Sequence, residues 1–217
     1  MIKSRLKKTK RSIINNTLPT LFAAVIAMVS WGALGGAAED SVEKAPPLTY
    51  GGPFSLTDHN GQSVTEADYL GEFLLIYFGY TYCPDVCPVS LATLAASLRR
   101  LDELGMAVRP LFISVDARRD TPAVLADYVR AFSPRMVGLT GTNEQIIQVT
   151  RAYYAHYFAG EIDGRYLVDH TGSMYLVGPD GGFLKAFPHG ISVDDLAQGL
   201  ITEMTNYQQA TSKVGSE

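Results

Sequence analysis

Cysteine is scarce in this sequence, which has only two such residues, Cys83 and Cys87, among 217. An exported protein with two cysteines ordinarily uses them for one structural disulfide. Such a bridge stabilises most when it closes a long loop, and this pair encloses only Pro84, Asp85 and Val86. The short spacing therefore disfavours a structural disulfide and favours cysteines with a functional role.

Basic residues are few outside the first eleven positions, which hold six of the 18 lysines and arginines and no acid. Without those six, 12 basic and 22 acidic residues remain, which gives the rest of the chain a formal charge of −10. So acidic a domain lacks the basic patch that nucleic-acid binding requires. We therefore predict no nucleic acid among its partners; an acidic surface of this kind is either simply solvated or suits a basic or cationic partner.

Charged residues are absent from Ser12 to Ala38, and the 21 residues from Leu18 to Ala38 are mostly small or apolar. As a helix they span about 31 Å, enough to cross a bilayer. Basic residues before such a span keep the N-terminus in the cytoplasm. Residues 1–38 are thus predicted to be a basic N-terminus and single-pass transmembrane anchor in the inner (cytoplasmic) membrane, with the following domain on the periplasmic or equivalent extracytoplasmic side.

A cleaved signal peptide is the alternative for the same segment, because Gly36-Ala37-Ala38 has the small residues of a cleavage site. The apolar span is longer than the usual signal core of about 7–15 residues, which favours a retained anchor. No cysteine follows the span closely, which excludes lipoprotein processing.

Residues 39–52 contain Pro46-Pro47 and Gly51-Gly52 and are predicted to be a linker. Residues 53–207 alternate apolar runs with helix-capping signals in the order hairpin, β, α, β, α, β, α, β-hairpin, α. This order predicts a three-layer α/β/α domain with a mixed sheet. The last helix is predicted to run from Val193 to about Tyr207, and residues 208–217 to form a flexible tail.

The cysteine pair lies between a predicted buried strand, Phe73 to Phe78, and a predicted helix. A cysteine pair at this junction is typical of thioredoxin-like proteins. A helix N-terminus lowers a thiol pKa, and both metal binding and disulfide exchange use the resulting thiolate. Three intervening residues let both sulfurs converge on one metal while still permitting a disulfide. Thiolate softness favours Cu(I) as the metal.

Two thiolates make an open site, so a third ligand is sought among the four histidines. His59 and His189 lie at predicted turns, and His156 is predicted to pack at a helix end. His170 directly precedes the late strand pair, where a thioredoxin-like chain passes close to the cysteine loop. Position alone makes His170 a candidate ligand without deciding between a ligand and a structural residue. Asp169 could orient its imidazole or simply cap a turn.

Several segments together resemble the Sco (SenC) family of copper chaperones for cytochrome c oxidase assembly, in the same order and over roughly residues 53–200. They are Tyr80-Thr81-Tyr82-Cys83-Pro84-Asp85-Val86-Cys87-Pro88, Ile113-Ser114-Val115-Asp116, Arg119-Asp120-Thr121-Pro122, Val137-Gly138-Leu139-Thr140-Gly141, Val168-Asp169-His170-Thr171 and Tyr175-Leu176-Val177-Gly178-Pro179-Asp180-Gly181. Ala117 departs from the family pattern, which usually has proline there, and this puts only local loop geometry in question.

The resemblance implies a membrane-anchored thioredoxin-like domain that binds copper through Cys83, Cys87 and His170. It further implies delivery to the binuclear copper centre of a cytochrome c oxidase subunit, with other copper chaperones or thiol reductants as further partners.

The alternative function is a thiol–disulfide oxidoreductase, in which Cys83 attacks a disulfide of the same oxidase subunit and Cys87 resolves the product. A thiol peroxidase fits poorly, because Thr81 lies two residues before Cys83 where the peroxiredoxin pattern has three.

Overall fold

Nine β-strands and four α-helices form in residues 50–214, the part of the chain that the computed structural model describes, all within a unit that begins at Pro46. The strands are β1 (Ser55–Asp58), β2 (Ser63–Thr65), β3 (Leu74–Gly79), β4 (Arg109–Ser114), β5 (Val137–Thr140), β6 (Tyr157–Ile162), β7 (Arg165–His170), β8 (Met174–Val177) and β9 (Phe183–Phe187). The helices are α1 (Val86–Glu103), α2 (Pro122–Arg130), α3 (Asn143–Ala152) and α4 (Val193–Val214).

Seven of the strands form one mixed sheet in the order β2-β1-β5-β4-β3-β8-β9. Strands β3, β4 and β5 run parallel, and the outer pairs are antiparallel. Every residue of the central strand β3 is buried, which is the pattern of a strand covered on both faces. The predicted mixed sheet is therefore confirmed.

Helices cover both faces of this sheet. Leu75 and Tyr77 of β3 belong to the apolar cluster that includes Leu91 of α1 and residues of α2 and α4. Their neighbours Leu74 and Ile76 point to the opposite face and belong to the cluster that includes residues of α3. The alternation of side chains along one strand thus fills two cores, and the predicted three-layer arrangement is confirmed.

Strands β6 and β7 form a separate two-stranded sheet that was not predicted. The turn between them is Asp163-Gly164, with φ of 52° and 72°. Two consecutive residues with positive φ are what a tight hairpin turn of the I′ type requires, and Asp-Gly is a preferred sequence for it. Because β7 ends at His170, this hairpin determines where the candidate histidine lies.

Helix α4 begins at Val193 as predicted, but it continues to Val214 where an end near Tyr207 was predicted. Hydroxyl side chains in the added turns donate back to the helix, as Thr211 Oγ1 does to the Tyr207 carbonyl at 3.0 Å. Between Tyr207 and Gly215 the sequence has no glycine or proline, so no local signal ends the helix near Tyr207.

Residues 1–49 and 215–217 lie outside the described part of the chain, and with them the predicted membrane anchor, most of the predicted linker and the last residues of the predicted tail. Within the described part, none of the helices combines the length and the apolar character needed to span a bilayer.

Candidate metal centre

The two cysteines lie where strand β3 turns into helix α1. Cys83 is in the loop between them and Cys87 is in the first turn of the helix. Both side chains are buried. Gly79, the last residue of β3, makes room for the second thiol, because a Cβ at this position would lie 2.8 Å from Cys87 Sγ and 2.8 Å from the Phe112 ring.

His170 closes the site from the hairpin. Its Nε2 lies 3.1 Å from Cys87 Sγ. The donor atoms of Cys83, Cys87 and His170 all lie within 4.8 Å of one another, and within residues 50–214 this is the one group of three or more cysteine, histidine or acidic residues with metal-binding spacing. The three residues singled out from the sequence are therefore brought together by the fold.

The hydrogen-bond partner of the second ring nitrogen, Nδ1, determines the tautomer of His170. Nδ1 lies 3.1 Å from the carbonyl oxygen of Thr171, which can only accept, so Nδ1 must carry the hydrogen. Burial lowers the pKa of His170, which favours the neutral ring. Nε2 of the neutral ring then has a free lone pair, directed at Cys87, that can accept the thiol hydrogen or bind a metal.

The two thiols have opposite acidities. Burial raises the pKa of Cys83, but hydrogen bonds from the backbone N–H groups of Asp85 and Cys87 outweigh it, so that its pKa falls below the ordinary value. Burial raises the pKa of Cys87 to about 12. Cys83 is therefore the more readily ionised thiol, and Cys87 is expected to lose its proton when a metal displaces it.

Two tyrosines enclose the imidazole. The rings of Tyr77 and Tyr80 meet His170 edge to face, with centroids 5.9 Å and 5.7 Å away. Such contacts contribute about 0.5–1.5 kcal/mol beyond area burial, and they restrict the rotation of the ring. The histidine is thus held at a fixed orientation by a carbonyl and two aromatic side chains.

A buried carboxylate fixes the start of the cysteine loop. Asp120, which is fully buried, accepts hydrogen bonds from Thr81 N at 2.9 Å and Thr81 Oγ1 at 2.6 Å. Ser114 Oγ donates to the same carboxylate at 2.6 Å. The loop before Cys83 is therefore tied to the segment between β4 and α2, and sequence reasoning assigned no such role to Asp120.

The predictions about Asp169, His156 and His59 have different outcomes. The Asp169 carboxylate accepts from the backbone N–H of His170 at 2.9 Å within β7, and the Thr171 carbonyl is the group that faces the ring at Nδ1. His156 is exposed, where packing at a helix end was predicted. His59 lies in its predicted turn, but its Nδ1 also accepts from Gly138 N at 3.0 Å and joins the turn to β5.

Comparison with protein families matches residues 42–205 to the family described as SCO1/SenC. The chain belongs to the SCO1/SenC family. Among its relatives, the human protein named Protein SCO1 homolog, mitochondrial, is 48% identical over 163 residues, which cover 73% of this chain and 54% of that protein. The chain therefore spans about half the length of that relative.

Solved structures of Sco proteins have the same fold as this SCO1/SenC chain. Arabidopsis thaliana ScoI, whose structure was determined with copper bound, is 43% identical with a TM-score of 0.69, covering 72% of this chain and 99% of that one. BsSco is described as a member of the Sco family of cytochrome c oxidase assembly proteins with a disulfide switch. It is 27% identical with a TM-score of 0.60, covering 74% of this chain and 96% of that one. The predicted thioredoxin-like fold is thereby confirmed.

Proposed function

We propose that this protein is a copper metallochaperone that binds copper through Cys83, Cys87 and His170. The observation that carries the proposal is the convergence of these three donor atoms within 4.8 Å. With bonds of about 2.3 Å to sulfur, three donors around one metal lie about 4 Å apart. Movements of up to about 1 Å would therefore complete the site.

The chemistry of the donor set fits copper in particular. Thiolates select soft ions such as Cu(I), and imidazole also binds copper. The neutral His170 ring presents its free Nε2 at 3.1 Å from a sulfur, and the ionised form of Cys83 is stabilised by backbone N–H groups. Copper bound in ScoI of Arabidopsis thaliana, a relative with the same fold, supports the same cargo here.

We propose that the copper is delivered to the binuclear copper centre of a cytochrome c oxidase subunit during assembly. The description of BsSco as an oxidase assembly protein supports this class of partner. Direct transfer requires the partner to approach the ligands, and apolar side chains beside them are exposed. Tyr82, next to Cys83, is 62% exposed, and Val89, in the first turns of α1, is 58% exposed.

The same proposal includes the location of the protein in the cell. The uncharged span from Leu18 to Ala38, preceded by basic residues, would anchor the protein in the inner membrane with the copper-binding domain outside the cytoplasm. The mitochondrial human relative, whose name records an organelle with such a membrane, is consistent with it.

A thiol–disulfide oxidoreductase is the second candidate, favoured by the opposite pKa shifts of the two cysteines. The Cys83 thiolate would attack a partner disulfide and form a mixed disulfide with release of one partner thiolate. Cys87 would then displace the second partner sulfur, which leaves a Cys83–Cys87 disulfide and a reduced partner. A Cys87→Ser variant cannot complete the second step, so this function predicts a mixed disulfide that accumulates on Cys83.

Copper titration of the reduced protein tests the chaperone function. We expect one Cu(I) per chain in competition with a chromophoric chelator, and loss of tight binding in both Cys83→Ser and Cys87→Ser. Failure of the reduced wild-type protein to bind copper stoichiometrically would reject the chaperone function. Rapid reduction of a disulfide-containing oxidase peptide by such a protein would then support the second candidate.

A further inference from the structure

A buried carboxylate near the metal centre has no part in the ligand set. The side chain of Asp116, at the end of β4, is 0% exposed and forms an ion pair with Arg119, which is 29% exposed. Its other oxygen accepts from the hydroxyl of Tyr166 at 2.9 Å. Two donors thus compensate the charge, as a buried carboxylate requires.

Arg119 connects the two segments that supply the metal ligands. Its guanidinium lies 4.7 Å from the centroid of the Tyr82 ring and 4.8 Å from that of the Tyr166 ring. Tyr82 directly precedes Cys83, and Tyr166 is in β7, the strand that ends at His170. The cation is therefore placed between the cysteine loop and the histidine strand.

The alternation of side chains along β7 places Tyr166, which contacts Arg119, on the same face of the strand as His170. Tyr166, Val168 and His170 are half-buried, whereas Leu167 and Asp169 between them are exposed. Tyr166 and His170 therefore lie on the same, inward face of β7, and a shift of Tyr166 moves the face that carries the ligand.

Apart from Arg119, the hairpin is attached to the domain through Arg118, which forms an exposed ion pair with Glu161 at 3.2 Å and lies 4.7 Å from the centroid of the Tyr166 ring. Strands β6 and β7 pair only with each other, and an isolated two-stranded hairpin is marginally stable in water. On its outer face, Phe158, Ile162 and Leu167 are exposed. The two ends of the hairpin are joined to each other by the Thr171 N–H, which donates to the His156 carbonyl at 2.8 Å. Exposed ion pairs such as Arg118–Glu161 contribute little, so contacts along the half-buried inner face contribute most to the distance between His170 and the cysteines.

We propose that Arg119, held by Asp116, is a positioning residue that clamps Tyr82 and Tyr166 and so holds His170 within bonding distance of copper. The inference rests on the proposed copper binding and specifies what keeps its third ligand in place. While the clamp formed by Arg119, Tyr82 and Tyr166 is intact, two cysteine sulfurs and the His170 nitrogen would be available to copper. If the clamp were loosened, the hairpin would move and only the two cysteine thiolates would remain as ligands.

Affinities for Cu(I) and Cu(II) distinguish a site that includes His170 from a site with the two thiolates alone. Cu(I) is satisfied by soft thiolates, whereas Cu(II) prefers sites that include nitrogen ligands. Loss of the His170 ligand should therefore weaken Cu(II) binding much more than Cu(I) binding. A general loss of structure would weaken both.

The test compares Tyr166→Phe and Arg119→Lys with wild type in the reduced full-length protein. Tyr166→Phe removes only the hydroxyl that donates to Asp116, and Arg119→Lys keeps the charge but loses the planar group that stacks on the rings. The matched controls are Tyr157→Phe, whose hydroxyl has no hydrogen bond within the described residues, and Arg130→Lys on the exposed side of α2. Cu(I) and Cu(II) affinities, the sulfur-to-Cu(II) charge-transfer absorption and the apo-protein Tm are measured.

We expect both clamp variants to lose about 10-fold in Cu(II) affinity, the lower end of the range for groups bonded directly to a metal ligand, because Arg119 and Tyr166 act through neighbours of the ligands. The charge-transfer band should shift, while Cu(I) affinity and both controls stay near wild type. Tyr166→Phe should lower the apo-protein Tm by a few degrees, because the buried Asp116 carboxylate loses one of its donors. Unchanged Cu(II) binding, or an equal fall for both oxidation states together with a lower Tm, would overturn the positioning inference. A wild-type protein that binds neither ion would instead reject the proposed function itself.

Discussion

Cys87 Sγ and His170 Nε2 lie 3.1 Å apart, although they are separated by 83 positions in the sequence. The cysteine is set by the junction of a central strand with its helix, and the histidine is set by a peripheral hairpin. Because the two supports are different elements, the geometry of the site depends on how the hairpin is held against the sheet. The predictions below concern the acidity of the two thiols, the space at Gly79 and the buried Asp120 carboxylate.

The first prediction concerns the relative reactivity of the thiols. Backbone N–H groups lower the pKa of Cys83 despite its burial, whereas burial raises that of Cys87 to about 12. Since the thiolate is the nucleophile, Cys83 should be alkylated by iodoacetamide much faster than Cys87 at neutral pH. Its rate should level off at a pH below that of an ordinary thiol.

The measurement is the pH dependence of alkylation in the reduced, metal-free protein, with the modified residue identified by fragmentation mass spectrometry. Over the same range the rate at Cys87 should keep rising with pH, because its thiolate fraction is still small. Preferential labelling of Cys87 at neutral pH would contradict the assigned acidities.

A second prediction concerns Gly79, whose lack of a side chain leaves space for the Cys87 thiol. In Gly79→Ala the new Cβ would lie 2.8 Å from Cys87 Sγ and 2.8 Å from the Phe112 ring, so the thiol must shift. Overpacking of this kind costs about 1–3 kcal/mol, and we expect that loss in urea unfolding together with weaker copper binding. Gly52→Ala is the control, since its Cβ would meet only Ala152 Cβ at 3.5 Å. Equal stabilities of the two variants would argue against a close fit at Gly79.

A third prediction concerns the carboxylate that ties down the cysteine loop. Asp120→Ala removes the acceptor of the half-buried Thr81 backbone N–H and of the buried Ser114 hydroxyl. Each buried donor left without a partner costs about 1–3 kcal/mol, so a loss of about 2–5 kcal/mol in the free energy of unfolding is expected. Chemical denaturation measures it.

Asp127→Ala on helix α2 is the control for this variant. Its side chain is 83% exposed and its ion pair with Arg130 is at the surface, so the free energy of unfolding should change by less than about 0.5 kcal/mol. If Asp120→Ala proved as mild as this control, the network that anchors Thr81 would not contribute as described.

The central layers could be predicted from the sequence because their signals are local. The buried strand Leu74–Gly79 is a continuous apolar run, and helix α2 begins with Thr121, whose side chain accepts from Val124 N, followed by Pro122. Proline in the first turn after a capping hydroxyl is a strong start signal. The cysteines were placed by the apolar run before them and by the helix-like apolar pattern from Val89 to Leu101 after them.

The hairpin of β6 and β7 was missed although a signal was present. Asp163-Gly164 is a preferred hairpin turn, and residues in β7 alternate between exposed and half-buried positions. The exposed Phe158 and Leu167 break the usual pattern of polar outward positions, which obscured the strands. Without the hairpin, His170 could be assigned only to a loop before β8.

The support of the imidazole could not be predicted from residue types. Asp169 is the obvious carboxylate beside His170, yet a backbone carbonyl, that of Thr171, faces Nδ1. Every residue has such a carbonyl, so the sequence cannot single one out. Likewise, Asp116 and Asp120 become recognisable as network members only when their burial is known.

The most direct test of the account compares copper binding by His170→Ala with that of His156→Ala, an exposed histidine with no side-chain hydrogen bond within residues 50–214. In the reduced proteins we expect His170→Ala to lose Cu(II) affinity by about 10-fold or more while it retains disulfide exchange. His156→Ala should match wild type in both assays. Equal copper binding by wild type and both variants would contradict the three-ligand site.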